Sequence, residues 1–366
     1  MMGMTDTGSD VASMKAILAS LVDRRDLTSD EAEAAVGFIM DGRASEAEMA
    51  SFLTALRMKG ETVFELVGIS RAMRARMKRV DIGNLRAMDI VGTGGAKVKT
   101  FNCSTLSAFV VAGCGVPVAK HGNRAASSAF GSADFLEALG LDLNAPTDRV
   151  ARAILEAKVG FLFSQAYHPA MKHLAPARKT VGFRTTFNVL GPLNNPAMVK
   201  VQMTGVADPA YLEPCALALV QLGSERFTLV HGEAGLDEYS ISGKTRTATF
   251  EGKEVKLGSL SPADAGFEER PLDVMAPMDR EKAFAQALDV LRGAAGWQRE
   301  MVLMSSGLAL RTFGRAGSLK EGVDLAKESL DSGAAVDAAL SMVRIAGGDP
   351  LILEDLQRDS KRPAKA

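Results

Sequence analysis

The chain has 366 residues, more than the roughly 100–200 of one ordinary domain, so it is expected to form a large domain with a smaller companion. Its 43 basic and 44 acidic residues leave a formal net charge of −1, which gives no general attraction for nucleic acid or an anionic membrane, so any phosphate must be met locally. Three cysteines without a CxxC spacing give no disulfide framework and fit a reducing cytosol; no apolar run resembles a signal peptide or a membrane span, so a cytoplasmic protein is expected.

Along the chain, Ser9 or Asp10 is placed to cap a first helix whose Val11, Met14, Ile17, Leu18, Leu21 and Val22 share one face. Three further helix starts carry a hydroxyl three residues ahead of a glutamate: Thr28 with Glu31, Ser45 with Glu48 and Thr62 with Glu65. In that arrangement each side chain takes a first-turn N–H that the helix itself cannot satisfy. Residues 9–80 therefore read as helical, and the basic run 71–79 as a solvated helix face. From Asp89 the pattern changes. Apolar strands MDIVG, GVPVAK, VGFLFS, VQMTGVA and RFTLVHG alternate with helical stretches such as 104–113 and 132–139. This predicts an α/β fold with a mainly parallel central sheet flanked by helices, in which ligands sit beyond the carboxyl ends of the strands. Residues 167–195, rich in Pro, Gly, His and Arg, read as a hinge or crossover returning to the helical part, 319–345 as two helices and 360–366 as a polar tail. The expected domains are 1–85, completed by about 168–195, and 86–366.

Residues 90–105, IVGTGGAKVKTFNCST, end a strand in a glycine-rich loop. Gly92, Thr93, Gly94 and Gly95 would let main-chain N–H groups approach an anion closely. Asn102, Ser104 and Thr105 stand where a helix begins, and its free N–H groups and partial positive charge suit a phosphate. Neither a Walker lysine-serine loop nor a spaced G-x-G-x-x-G opens that helix, which argues against a nucleoside triphosphate or a dinucleotide. The second strand end, KHGNRAASSAFGSAD (120–134), gathers Lys120, His121, Asn123, Arg124, Ser127 and Ser128. Two polar strand ends side by side suit a ligand with two anionic ends. In HGEAGLDEYS (231–240), Asp237 and Glu238 share a glycine-flanked loop. Adjacent carboxylates point apart, which suits two magnesium ions that keep waters and share substrate phosphates.

Together GTGG…TFNCST (92–105), KHGNRAASS with GSADFLEALG (120–140), YHPAMKHLAPARKTVGFRTTFNVLGPLNNPA (167–197) and HGEAGLDE (231–238) resemble the anthranilate phosphoribosyltransferase family, in its order and over nearly the whole chain. The resemblance implies a magnesium-dependent enzyme of tryptophan biosynthesis that joins anthranilate to phosphoribosyl pyrophosphate (PRPP), releasing pyrophosphate. It also implies an active site in a hinge cleft and a homodimer formed through the helical domains. By position, it implies that Gly92, Thr93, Gly94, Gly95, Lys97, Thr100, Asn102, Ser104, Thr105, Lys120 and Ser132 hold PRPP. His121, Asn123, His168, Arg184 and the Gly191-Pro192 turn would guide or hold anthranilate, with Arg184 on its carboxylate. Ser104 and Glu238 would bind one magnesium ion, and Asp237 and Glu238 a second. An aromatic amine is already neutral at pH 7, so no strong base is required; His121 is the candidate for any acid–base role.

The family's common form has Asp-Gly after GTGG, where this chain has Ala96-Lys97. With Lys99 nearby, the altered loop is expected to draw the diphosphate with its own cations and to rely differently on magnesium. Three other readings share part of the pattern. A pyrimidine nucleoside phosphorylase-like enzyme has less use for KHGNR, the hinge motif and the Asp-Glu pair; a nucleic-acid-binding relative should carry a basic excess. A phosphoribosyltransferase for another aromatic amine is left open.

Overall fold

The structure, a computed structural model, describes residues 13–96, 101–125, 130–233, 235–275 and 279–360. It divides into two compact units. One contains the chain up to Met77 together with His168–Phe187; the other contains Lys78–Tyr167 and the chain from Asn188 onward.

The first unit is helical: α1 (Met14–Val22), α2 (Ser29–Met40), α3 (Glu46–Lys59), α4 (Val63–Arg76) and a later helix, Met171–Val181, that packs on α2 and α3. All three reciprocal caps are present. Thr28 Oγ1, for instance, accepts from the Glu31 N–H at 3.2 Å while the Glu31 carboxylate accepts from the Thr28 N–H at 2.9 Å. The third also ties helices together, because the buried Glu65 carboxylate accepts from the Leu27 N–H (3.0 Å) and from Lys59 Nζ (2.9 Å). The first helix departs from expectation. It starts at Met14, with Ser13 Oγ accepting from the Ala16 N–H; Ser9 and Asp10 lie outside the described residues. Met14, Ile17 and Leu21 complete its buried stripe, so Val22, one further step of about 100° around the helix, is 72% exposed.

The second unit holds β1 (Met88–Gly92), α5 (Cys103–Gly113), β2 (Val118–Gly122), α6 (Ser132–Ala138), β3 (Val159–Phe163), β4 (Val201–Gly205) and β5 (Arg226–Gly232). These five strands are parallel and run in the order β3-β2-β1-β4-β5. Helices cover them, so the strands are buried on both faces and mostly apolar, which is why they stand out as apolar runs. An antiparallel hairpin, β6 (Thr245–Phe250) and β7 (Val255–Leu260), extends the sheet beyond β5. The sequence reading missed it because β7 is largely exposed and lacks an apolar signature. Helix α5 packs on Trp297–Phe313 and Ala334–Ala346, closing the main core beneath the sheet. Cys103 and Cys215 are buried, Cys114 is partly buried, and all three are free thiols. Among the described residues no helix is long and apolar enough to cross a membrane.

Candidate active site

The carboxyl end of β1 meets that of β4, where Gly92 and Gly205 are a register pair. Thr93 prolongs the contact: its N–H donates to the Gly205 carbonyl (2.8 Å) and its Oγ1 accepts from the Ala207 N–H (3.0 Å). Gly94 and Gly95 then adopt positive φ (+67° and +80°), a turn open to glycine with little strain. Both terminal glycines make room for one residue. A Cβ on Gly92 would lie 2.8 Å from Asp237 Oδ2, and one on Gly205 only 1.6 Å from the Asp237 carbonyl oxygen. Asp237 reaches this seat through a tight turn between Gly232 and Leu236, and the buried Tyr239, whose hydroxyl donates to the Ser261 carbonyl (2.7 Å), anchors the far side. Asp237 Oδ2 accepts from the Gly94 N–H at 2.9 Å. The glycine loop and the carboxylate pair, 143 residues apart, are thus directly bonded.

At the start of α5, Asn102 spends no side-chain bond on capping, and the Ser104 N–H donates to the Glu238 carboxylate. Burial and the neighbouring Asp237 charge push Glu238 up to about 8, against the pull of Lys120. Two carboxylates crowded in this way fit a cation, and Ser104 Oγ completes an all-oxygen donor set suited to magnesium. Lys120 is buried; its Nζ donates to the Ile90 carbonyl (2.6 Å) and Ser104 Oγ (3.3 Å), and burial lowers its pKa. Thr105 is buried in the first turn of α5. Ser132 opens α6 and its Oγ donates to the Asn123 carbonyl (3.2 Å), a close approach that a Cβ on Gly122 would block. Asn123 Oδ1 accepts from the Arg124 N–H (2.8 Å) and Gln165 Nε2 (3.3 Å). The Arg124 guanidinium is committed to Asp134 and Glu137.

His121 turns to the other side of the sheet, its Nδ1 3.0 Å from the Gly191 carbonyl. The Gly191-Pro192 turn is held in addition by Gln202 Nε2, which donates to the Pro192 carbonyl (3.3 Å), and by Asn194 Nδ2, which donates to the Leu190 carbonyl (2.7 Å). Beneath lies Asp89, fully buried, which the sequence reading did not single out. Burial raises it to about 6, although hydrogen bonds from Asn195 and the His121 N–H and the Lys120 charge oppose the rise. The sign follows from a folded value above the unfolded one: stability from this group is complete below about pH 4 and is lost as pH rises through 6. Between pH 8 and pH 5 the parent should therefore gain about 1 kcal/mol relative to Asp89→Asn. Denaturant midpoints of the two proteins at both pH values check this; a constant gap would contradict it.

Thus Gly92, Thr93, Gly94, Gly95, Asn102, Ser104, Thr105, Lys120, His121, Asn123, Ser132, Gly191, Pro192, Asp237 and Glu238 all belong to the α/β unit, at or near strand ends. His168 and Arg184 belong to the helical unit. Lys97, Lys99, Thr100, Ser127 and Ser128 lie outside the described residues. One residue of note was missed. Arg178, in the last turn of helix Met171–Val181, is partly buried, and its pKa is lowered by burial and by the charge of Arg184. Gly182, at φ +69°, ends the helix, and Arg184, six positions after Arg178, is near enough for its charge to be felt there. The cue was the glycine between two arginines.

Comparison with known proteins gives a consistent result. The α/β-domain model of a glycosyl transferase family matches residues 84–336, and its helical bundle domain model matches residues 15–77. The anthranilate phosphoribosyltransferase of Symbiobacterium thermophilum is 45% identical over 322 residues, covering 88% of this chain and 94% of that protein. The crystal structure of anthranilate phosphoribosyltransferase from Thermus thermophilus has a TM-score of 0.84 and 41% identity, over 90% of this chain and 98% of that one. The enzyme from Saccharomyces cerevisiae in complex with PRPP and Mg has a TM-score of 0.82 and 28% identity, over 91% and 98% of the two chains.

Proposed function

The chain belongs to the anthranilate phosphoribosyltransferase family, and from that premise we propose that it transfers the phosphoribosyl group of PRPP to the amine of anthranilate, releasing pyrophosphate, as a step of tryptophan biosynthesis. The observation that carries the assignment to particular residues is the seat of Asp237 and Glu238, bonded to the glycine loop on one side and to the start of α5 on the other. Ser104, Asp237 and Glu238 would hold magnesium, which would supply positive charge against that of the departing diphosphate. We assign two ions.

The protein's own groups then have separable tasks. The backbone of Gly92–Gly95, the start of α5 with Asn102, Ser104 and Thr105, Ser132 and the Lys120 ammonium hold PRPP, with Lys97 and Thr100 contributing from the same loop. Bond breaking at the ribose C1 runs ahead of bond making, so these donors face an oxygen that is gaining negative charge. His121, Asn123, His168 and the Gly191-Pro192 turn orient the acceptor so that its neutral nitrogen approaches C1. The reaction needs no proton abstraction before attack. Three free cysteines support a cytoplasmic setting. Val22, Met58 and Phe64, at 72%, 73% and 59% exposure on the helical unit, support its use in a homodimer.

The arginine pair tests the acceptor side. Burial and, after it, the charge of Arg184 lower the Arg178 pKa, so a nearby anion is favoured, and we read the carboxylate of anthranilate as that anion. Arg184→Ala and Arg178→Ala should each raise the KM for anthranilate about 10- to 100-fold, the worth of a charge-assisted hydrogen bond, with the KM for PRPP little changed. Steady-state kinetics with each substrate varied in turn decides it. An unaltered anthranilate KM in both variants would remove the carboxylate clamp from this unit.

A further inference from the structure

The seam between β1 and β2 differs from those beside it. Among the described residues its ladder is one register pair long, Met88 with Val118, whereas β1–β4 and β2–β3 each run for five. Beyond that pair, side chains take the place of main-chain partners. The His121 N–H donates to Asp89 Oδ1 (3.0 Å), and Lys120 Nζ donates to the Ile90 carbonyl (2.6 Å). Asn195 Nδ2 donates both to Asp89 Oδ2 and to the Ala119 carbonyl (2.8 Å each), while Asn195 Oδ1 accepts from the Ala197 N–H (2.8 Å). Asp89 is 0% and Asn195 4% exposed.

This arrangement joins the strand that ends in the phosphate loop to the strand that carries Lys120 on one face and His121 on the other through side chains rather than through a continuous main-chain ladder. It also connects that spacing to the segment following the Gly191-Pro192 turn. We propose that Asp89 and Asn195 are a positioning pair: they set the distance between the strand end that holds the phosphoribosyl donor and the strand end and turn that orient the amine acceptor. The inference rests on the phosphoribosyl transfer proposed above. Neither residue is assigned a contact with substrate, so their loss is felt in the alignment of reacting atoms rather than in the holding of either molecule. A displacement on the order of 1 Å at such a site lowers the rate by about 100-fold.

Asp89→Asn is nearly isosteric and keeps an oxygen for the His121 N–H, but it turns an NH2 group against that of Asn195. Asn195→Ala leaves the Asp89 carboxylate with His121 and deletes the bridge to Ala119. The test measures kcat, both KM values and the melting temperature of parent and variants, together with the PRPP dissociation constant read from Trp297, the chain's one tryptophan, which packs edge-on against Phe101 beside the phosphate loop. In each folded variant kcat should fall about 100-fold while the PRPP dissociation constant stays within about threefold of the parent's. If Asp89→Asn fails to fold, Asn195→Ala decides. A kcat within about threefold of the parent's in a folded variant, or loss of kcat and PRPP affinity in equal measure, overturns the positioning role. A parent that consumes no anthranilate overturns the transfer reading itself, and this proposal with it.

Discussion

Asp237→Asn and Glu238→Gln should each lower kcat by about 100-fold or more, the scale on which removal of one preorganised group facing transition-state charge is felt. Burial and, after it, the Asp237 charge raise Glu238 to about 8, so a cation would relieve both the lost solvation and the repulsion at this site. Glutamine in place of Glu238 would keep the size of the side chain and an oxygen for the Ser104 N–H, so the fold should survive. A carboxyl group raised above its unfolded value loses stability as pH rises through the folded value. At pH 8 the metal-free Glu238→Gln protein should therefore melt no lower than the parent. Loss of turnover without loss of melting temperature separates a metal ligand from a scaffold residue. Rates within tenfold of the parent for both variants would remove the pair from the reaction.

Gly205→Ala should be nearly as damaging, although residue 205 is assigned no substrate contact. The new methyl would sit 1.6 Å from the Asp237 carbonyl oxygen, a main-chain atom that cannot swing aside. Strand β4 is paired on both sides, with β1 and with β5, so it cannot retreat either. The Asp237 segment must then move, and Gly94 loses its 2.9 Å partner. A fall in kcat/KM of about 100-fold is expected from the displaced carboxylates, with about 1–3 kcal/mol lost in stability from overpacking. Gly258→Ala in the exposed β7, where a methyl would meet only Thr247 Oγ1 at 3.3 Å, is the matched control and should be nearly neutral. Kinetics and denaturant unfolding on both variants check this; equal activity of the two would show that the Asp237 seat tolerates displacement.

These cases show what a sequence makes visible. MDIVG, VGFLFS and RFTLVHG were legible as strands because burial on both faces demands apolar runs, and the three Thr/Ser–Glu caps because their chemistry is local. Gly205 was not legible: it ends an apolar strand, and the atom it makes room for lies 32 positions away. Asp89 was hidden for the opposite reason, since a carboxylate inside a strand reads as the strand's edge until Asn195 and His121 are brought against it. Arg178 looked like an ordinary basic residue in a last helical turn; nothing local in the sequence marks its burial or its nearness to the charge of Arg184. Hairpin β6–β7 left no signal because β7 is exposed.

The most direct test of the phosphoribosyl transfer is the fluorescence of anthranilate mixed with the purified protein, PRPP and magnesium, followed with and without a chelator. Magnesium-dependent loss of anthranilate emission, abolished by the chelator and reduced about 100-fold or more in Asp237→Asn, is the predicted result. Unchanged emission from a folded parent protein that still binds PRPP would contradict anthranilate as the acceptor.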